Sequence, residues 1–339
     1  MTSGTRYSLQ VTLLVLLLLV LVILDISLGT VRIPFRDIVA FLTGNGSLSH
    51  QHEVILTDFR VPRMVTALLA GSALAVSGLQ MQTIFRNPLA GPYVLGISSG
   101  ASLGAALVLL GTGAVSSGLL AKWGLVSAAW LGAAGVMFIL LLVTIRIRNI
   151  MTILILGIMF SSGLSAIISI MQYFGNAVAL KSFVIWSLGS LGDVSGSSLS
   201  VLTVTILPGL AIAFLSVKGL NAMVMGEEMA GTLGTNILFT RILVFVSTSV
   251  LAGSITAFCG PIGFVGIAVP HITRFYTGRS DMRFLLPATM LMGMVILVFS
   301  DILSQLPGSD MILPVNAITS LIGIPVVIWV VVSRKKTFS

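Results

Sequence analysis

What most limits the fold of this chain is a succession of apolar runs longer than a soluble core can use. The first, VTLLVLLLLVLVILDISLG (Val11 to Gly29), contains a single charged residue, Asp25. About 20 apolar residues suffice for a helix to cross the hydrocarbon core. Runs of this kind recur at roughly 9–28, 64–83, 93–112, 119–144, 150–171, 198–217, 241–258, 260–273, 285–304 and 314–332. Only 8% of the 339 residues are charged, against about 25% in a soluble domain. Mean hydropathy is +1.12. The pattern predicts an all-α membrane protein, a single domain over residues 1–339, with ten transmembrane helices. The first run is long for a cleaved leader, lacks a clear small-residue cleavage site and precedes further spans, so it reads as a retained helix.

Charge placement predicts the orientation. With both termini cytoplasmic, the inner side carries Arg6, Arg86, Arg146, Arg148, Lys218, Arg241, Arg274, Arg279, Arg283, Arg334, Lys335 and Lys336. The outer side carries Arg32, Arg36, Arg60, Arg63, Lys122 and Lys181. Twelve against six follows the positive-inside rule. The net charge of +8 therefore needs no nucleic acid as partner. Dropping the eighth span would move Arg274, Arg279 and Arg283 outside. That span, GPIGFVGIAVPHITR (Gly260 to Arg274), poses its own question, because it holds three glycines and two prolines between long apolar runs.

LAGSALAVSG (Leu69 to Gly78) and LAGSITAFCG (Leu251 to Gly260) agree at six of ten positions. They lie on spans two and seven. An odd offset makes the two copies cross in opposite senses, the mark of an inverted-topology repeat and a habit of transporters. Gly96, Gly100 and Gly104, four residues apart, predict a close helix–helix contact.

No residue set reads as catalytic or metal-binding, and no cofactor is expected. Asp25, Asp193 and Asp301 fall at or near predicted span ends, where carboxylates can snorkel or cap, so none reads as a buried relay for an ion-coupled transporter. His271 lies at a span end with no sequence-evident partner and reads as structural, which leaves an intramembrane enzyme without a base. His50 and His52 lack further ligands. Cys259 excludes an internal disulfide and reads as a small buried filler. No GxxxxGK[ST] loop occurs, so ATP hydrolysis would belong to a partner.

Two loops look like docking surfaces. Arg60 and Arg63, in FRVPR, stand before span two where positive charge is disfavoured; they suit carboxylates of an external protein. Neutralisation by Asp37, Glu53 and Asp58, or headgroup contact, explains them equally well. The inner loop KGLNAMVMGEEMAGTLGTN (Lys218 to Asn236, within a stretch near 218–238) interleaves methionines and leucine with adjacent acids. It reads as a short helix or helix pair docking in a partner's groove.

At these residues the chain resembles the permeases of iron–siderophore, haem and cobalamin ABC importers. RVPRMVTALLAGSALAVSGLQMQTIFRNPLAGPYVLG, MGEEMAGTLG, GPIGFVGIAVPHITR and ITSLIGIPVVIW stand in that family's order and spacing. The resemblance implies a homodimer or a pair with a sister permease in a bacterial inner membrane, and a path along the two-fold axis. It also implies two separate ATPase subunits and a periplasmic or lipid-anchored binding protein. Gly226, Glu227, Glu228, Ala230, Leu233 and Gly234 would form the ATPase-coupling loop, Arg60 and Arg63 the binding-protein contact, and Asn87 and Leu89 part of the gate. Three positions depart from the pattern. Gln305 stands where the family usually has Arg, Ile312-Leu313-Pro314 replaces glutamate–leucine–proline, and Gly91 replaces an acid. The eighth span is expected to start near Pro261 in its first turn and to stop at Pro270.

Overall fold

The computed structural model describes residues 3–29, 31, 33–43, 49–111, 119–147, 149–305 and 312–335. In chain order its helices are α1 (Ser3–Ser27), α2 (Phe35–Thr43), α3 (His50–Val54), α4 (Val61–Ile84) and α5 (Ile97–Leu109). A π-helical stretch, Ile55–Arg60, joins α3 to α4, and a 3₁₀ turn, Pro92–Leu95, precedes α5. Then come α6 (Leu119–Arg146), α7 (Ile150–Phe174), α8 (Ala177–Ser187), α9 (Ser197–Leu215), α10 (Val217–Val224), α11 (Glu227–Thr232) and α12 (Ile237–Cys259). The last are α13 (Val265–Thr277), α14 (Met282–Ser304) and α15 (Val315–Lys335). Seven helices among the described residues are long and apolar enough to cross a membrane, and shorter apolar helices cover 97–109, 177–187 and 315–330. The sequence did not announce α8, because its eleven residues lie inside a loop too short to span.

The two matched decapeptides form the centre of the bundle. Every residue from Ala70 to Phe85 and from Leu251 to Gly260 is buried. The most apolar window of the α4 span is 78% buried and that of α12 is 72%, against 22% for both α1 and α7. A helix that is apolar all round belongs inside other protein; one facing lipid needs only to be greasy. Contacts repeat with the pseudo-symmetry: α4 packs on α14 as α12 packs on α6, α5 on α6 as α13 on α14, and α5 on α7 as α13 on α15. A Cβ at Gly71 would lie 2.3 Å from Gly293 O, while its repeat partner Gly253 faces the Cβ of Ala133 at 3.3 Å. The inverted repeat is thus a property of the packing as well as of the letters.

Gly100 and Gly104 bring α5 against α6, where added Cβ atoms would meet Gly132 O at 2.4 Å and Ala128 O at 2.0 Å. Gly96 also sits close to α7, where a Cβ would lie 3.1 Å from Ser161 Oγ, and it has a second task. It adopts a left-handed φ of +79° between the 3₁₀ turn and α5.

The eighth span departs from its expected limits. Residues Gly260–Phe264 are not helical, α13 runs from Val265 to Thr277, and Pro270 sits inside it. Pro261 therefore precedes the helix instead of starting it. Non-helical backbone at membrane depth must find partners in the protein. Tyr93 supplies two, donating its hydroxyl to Ile262 O (2.9 Å) and accepting from Ile262 N (3.3 Å). Asn316 Oδ1 accepts from Gly263 N at 2.9 Å. Pro270 has no N–H for the carbonyl of Gly266, four residues back. That carbonyl faces the α-carbon of Gly78 so closely that a Cβ there would lie 1.7 Å away, and a Cα–H contact takes the missing donor's place. Gln82 Nε2 also donates to Ile267 O at 2.9 Å. The glycines and prolines of this segment let α13 press directly onto α4.

Candidate functional site

One face of the bundle is identified by its contacts. Tyr7 donates to Phe284 O (2.8 Å) and Gln10 to Tyr276 O (2.5 Å), while Trp329 meets Phe275 edge-on. The start of α1, the later turns of α15, the end of α13 and the start of α14 therefore share a face with α10 and α11.

On this face the expected loop is a helix pair. Gly226, with φ +115°, separates α10 from α11, and Gly234, with φ +75°, ends the unit. Ala230 is fully buried. Glu227 is turned inward to Arg241 Nη2 at 2.5 Å, with the arginine side chain 4% exposed. Across α10, Asn221 Nδ2 donates to Asp281 Oδ1 (2.8 Å), and Asn221 Oδ1 accepts from Met282 N (2.7 Å). The Arg283 N–H and the Asn221 amide hold the Asp281 carboxyl below the ordinary carboxylate range. This cap therefore stays ionised at neutral and mildly acidic pH, and its contribution fades only as pH falls through the lowered value.

With Glu227 engaged, what α10–α11 presents outward is Met225, Met229 and Leu233, which are 66%, 54% and 64% exposed, together with Glu228. The outward chemistry is mainly apolar, as the interleaved methionines and leucine suggested, and only one of the two adjacent acids joins it. Replacing Glu227 by Gln should cost about 1–3 kcal/mol, less than a fully buried pair because this carboxylate is partly solvated. Amide exchange should then accelerate across Met225–Leu233 while α4 and α12 stay protected.

Asn87 and Leu89 lie in a turn at the same end of α4. Asn87 Oδ1 accepts from Leu89 N at 2.9 Å, and His271 Nε2 contacts Pro88 O at 2.7 Å. Leu89 is 42% exposed. His271 is a buried structural histidine that pins this turn to α13.

The opposite face corrects three expectations. Asp301 is completely buried and Asp25 is 3% exposed, so neither snorkels. Arg63 binds Asp301 in fork geometry, Nε to Oδ2 at 2.9 Å and Nη2 to Oδ1 at 2.7 Å, and donates to Ser304 Oγ at 3.0 Å. Arg60, itself buried, donates to the carbonyls of Ile26, in the last turn of α1, and of Leu28 and Val31 just beyond it. The neutralising acids proposed from the sequence are elsewhere engaged or absent from these contacts; Asp37 pairs with His52 at 2.7 Å. Gln305 Nε2 lies 3.2 Å from both Asp25 Oδ1 and Asp301 Oδ2. A cavity of about 240 Å³ opens beside this cluster, lined also by Val31, Ile55, Phe59 and Ile312. What the sequence did not show is the burial of Asp25 and Asp301, since nothing local marks a carboxylate at a span end as buried.

Residues 17–333 match the FecCD transport family. The chain belongs to that family. This FecCD permease is 32% identical over 337 residues to the hemin transport system permease protein HmuU of Yersinia pestis, covering 99% of each chain. It is 36% identical over 323 residues to the vitamin B12 import system permease protein BtuC of Klebsiella pneumoniae, covering 95% of this chain and 93% of that one. Its fold matches a metal-chelate type ABC transporter solved in an inward-facing conformation, with a TM-score of 0.82 and 28% identity over 95% of this chain and 97% of the other. As a FecCD protein it is a multi-pass membrane transport subunit.

Proposed function

We propose that this chain forms the translocation path of an ATP-driven importer for an iron chelate, haem or a corrinoid. The observation that carries the reading is the α10–α11 pair. It is tied to α12 through Glu227–Arg241 and to α14 through Asn221–Asp281, and it offers Met225, Met229 and Leu233 to a partner. Gly226, Glu227, Ala230 and Gly234 shape and anchor this unit, while Glu228 and Leu233 belong to its outer surface. Two ATPase subunits docked there would pull on two of the transmembrane helices at once. The Asn87–Leu89 turn, fixed to α13 by His271, would follow as part of the inner gate.

Ten helices cross the bilayer in this proposal: α1, α4, α5, α6, α7, α9, α12, α13, α14 and α15. Both termini and the coupling pair then face the cytoplasm, in keeping with the charge asymmetry. A second permease copy covers α7. Ile155, Met159, Ser162, Ala166, Ser169 and Tyr173 form an exposed stripe along this helix, spaced alternately four and three apart. Small and hydroxylated side chains at its middle suit a helix contact and a polar path better than lipid. A periplasmic or lipid-anchored binding protein would dock on the opposite face. Arg60 and Arg63 would serve that contact by bracing the α1–α4 and α4–α14 junctions, since their guanidiniums are already engaged within the chain.

An ion-coupled transporter would share the inverted repeat and would have a use for the buried carboxylates Asp25 and Asp301. Their engagement by Gln305 and Arg63 makes them a joint between helices. The deciding experiment is co-purification with candidate ATPase subunits in detergent, comparing wild type with Leu233→Asp. Leu233 points outward, so the variant should fold normally and lose the ATPase by at least tenfold in affinity, on the order of the penalty for burying a charge in an apolar contact. ATP-independent uptake by the permease alone in proteoliposomes would instead establish the ion-coupled reading.

A further inference from the structure

Beside the coupling pair lies a second feature that the apolar contact does not use. A cavity of about 290 Å³ is lined by Gln82, Thr83, Arg86, Pro88, Val224, His271, Arg274, Ser280 and Met282. Among the described residues that border it are two guanidiniums and no carboxylate. Arg274 Nη1 donates to Gln82 Oε1 at 2.7 Å, and the Gln82 amide is turned away to Ile267 O. Of the acids on the flanking elements, Asp281 in the adjoining groove is held by Asn221 and the Arg283 N–H and Glu227 by Arg241, while Glu228 faces outward.

Arg86 is exposed, and its backbone takes φ +49°, one of two non-glycine residues with positive φ among those described. This uncommon conformation turns the chain out of α4 and lays the guanidinium against Gly226. A Cβ at Gly226 would lie 3.5 Å from Arg86 Nη1. Val224 and Ser280 also line the adjoining groove, which runs past Lys218, Met225, Leu233 and Thr235. Whatever covers Met225 and Leu233 therefore also covers the mouth of this cationic cavity.

We propose that the cavity between Arg86 and Arg274 receives a carboxylate side chain from the ATPase subunit docked on α10–α11. The proposal rests on the importer function above and adds a polar anchor to it. An apolar patch attracts a partner but sets no register; a charge pair in a pocket sets register and rejects misaligned docking. Arg suits this task because its planar fork donates to a carboxylate bidentately.

The test titrates ATPase subunits onto the permease in nanodiscs, using wild type, Leu233→Asp, Arg86→Asn and Ser280→Glu. Asparagine tolerates the left-handed backbone, so Arg86→Asn removes the charge without disturbing the turn. Ser280→Glu leaves Arg86 in place and supplies a competing carboxylate from the chain itself. Both should weaken ATPase binding about tenfold and flatten its dependence on ionic strength. Wild-type affinity in both variants, with Leu233→Asp still weakening binding at least tenfold, would overturn the anchor and leave the importer function standing. Failure of wild type to bind any ATPase would overturn both. Thermal stabilisation of isolated permease by inorganic phosphate, lost in Arg86→Asn while ATPase affinity is unchanged, would assign the cavity to a free anion and also overturn the anchor.

Discussion

Asp301→Ala should destabilise the permease by about 3–5 kcal/mol, the range for breaking a buried ion pair from one side. Asp301 has no solvent exposure, and its two oxygens take three hydrogen bonds from Arg63, one from Gln305 and one from the Ser304 hydroxyl. Removing it leaves the guanidinium of Arg63, only 14% exposed, without its counter-charge. It also leaves the Gln305 amide with Asp25 alone. Arg63 belongs to α4 and Asp301 to α14, so the loss falls on the junction of two central helices. Adding Arg63→Met to Asp301→Ala should recover part of the stability, because removing both charges also removes the cost of keeping one desolvated. Unfolding in detergent, followed by helical signal, measures all three proteins. A single variant within 1 kcal/mol of wild type would sink the argument.

Gly78→Ala should be at least as damaging, although it adds one methyl group. The new Cβ would lie 1.7 Å from Gly266 O and 2.4 Å from its carbonyl carbon. Overpacking in a core costs about 1–3 kcal/mol when side chains can shift. Here the obstacle is the backbone of α13, which is crowded by Pro92, tied to α4 by the Gln82 hydrogen bond, and preceded by a segment held by Tyr93. α13 would have to move off α4 as a body and lose the contact that takes up the carbonyl freed by Pro270. Gly135→Ala is the matched control, since a Cβ there meets nothing within 4 Å. Size-exclusion profiles of detergent extracts should show normal Gly135→Ala and little folded Gly78→Ala. A normal profile for Gly78→Ala would mean that the two helices are not in backbone contact.

The candidate site was legible in part. The glycines around MGEEMAGTLG and the interleaved methionines gave away a broken helix pair, because left-handed turns and amphipathic spacing are local properties. The direction of each side chain on that pair was not legible. Glu227 and Glu228 are neighbours of the same type, yet one is held by Arg241 and the other faces outward. Arg86 was counted only as an inner charge; its positive φ and its approach to Gly226 arise where four helices meet.

The sequence by itself determined the membrane class, the repeat of the two LAGS segments and a close helix contact at Gly100 and Gly104. Each follows from residue type and period, since hydropathy, small side chains and spacing act along one helix. Tertiary structure alone decided that Pro270 sits within a helix, that Pro261 precedes it, and that Arg63 belongs to Asp301. A proline is tolerated in α13 because Gly78 and Gln82, on another helix, answer the carbonyls around it. Arg63 and Asp301 are 238 positions apart, and only the packing of α4 on α14 turns two end-of-span charges into one buried pair.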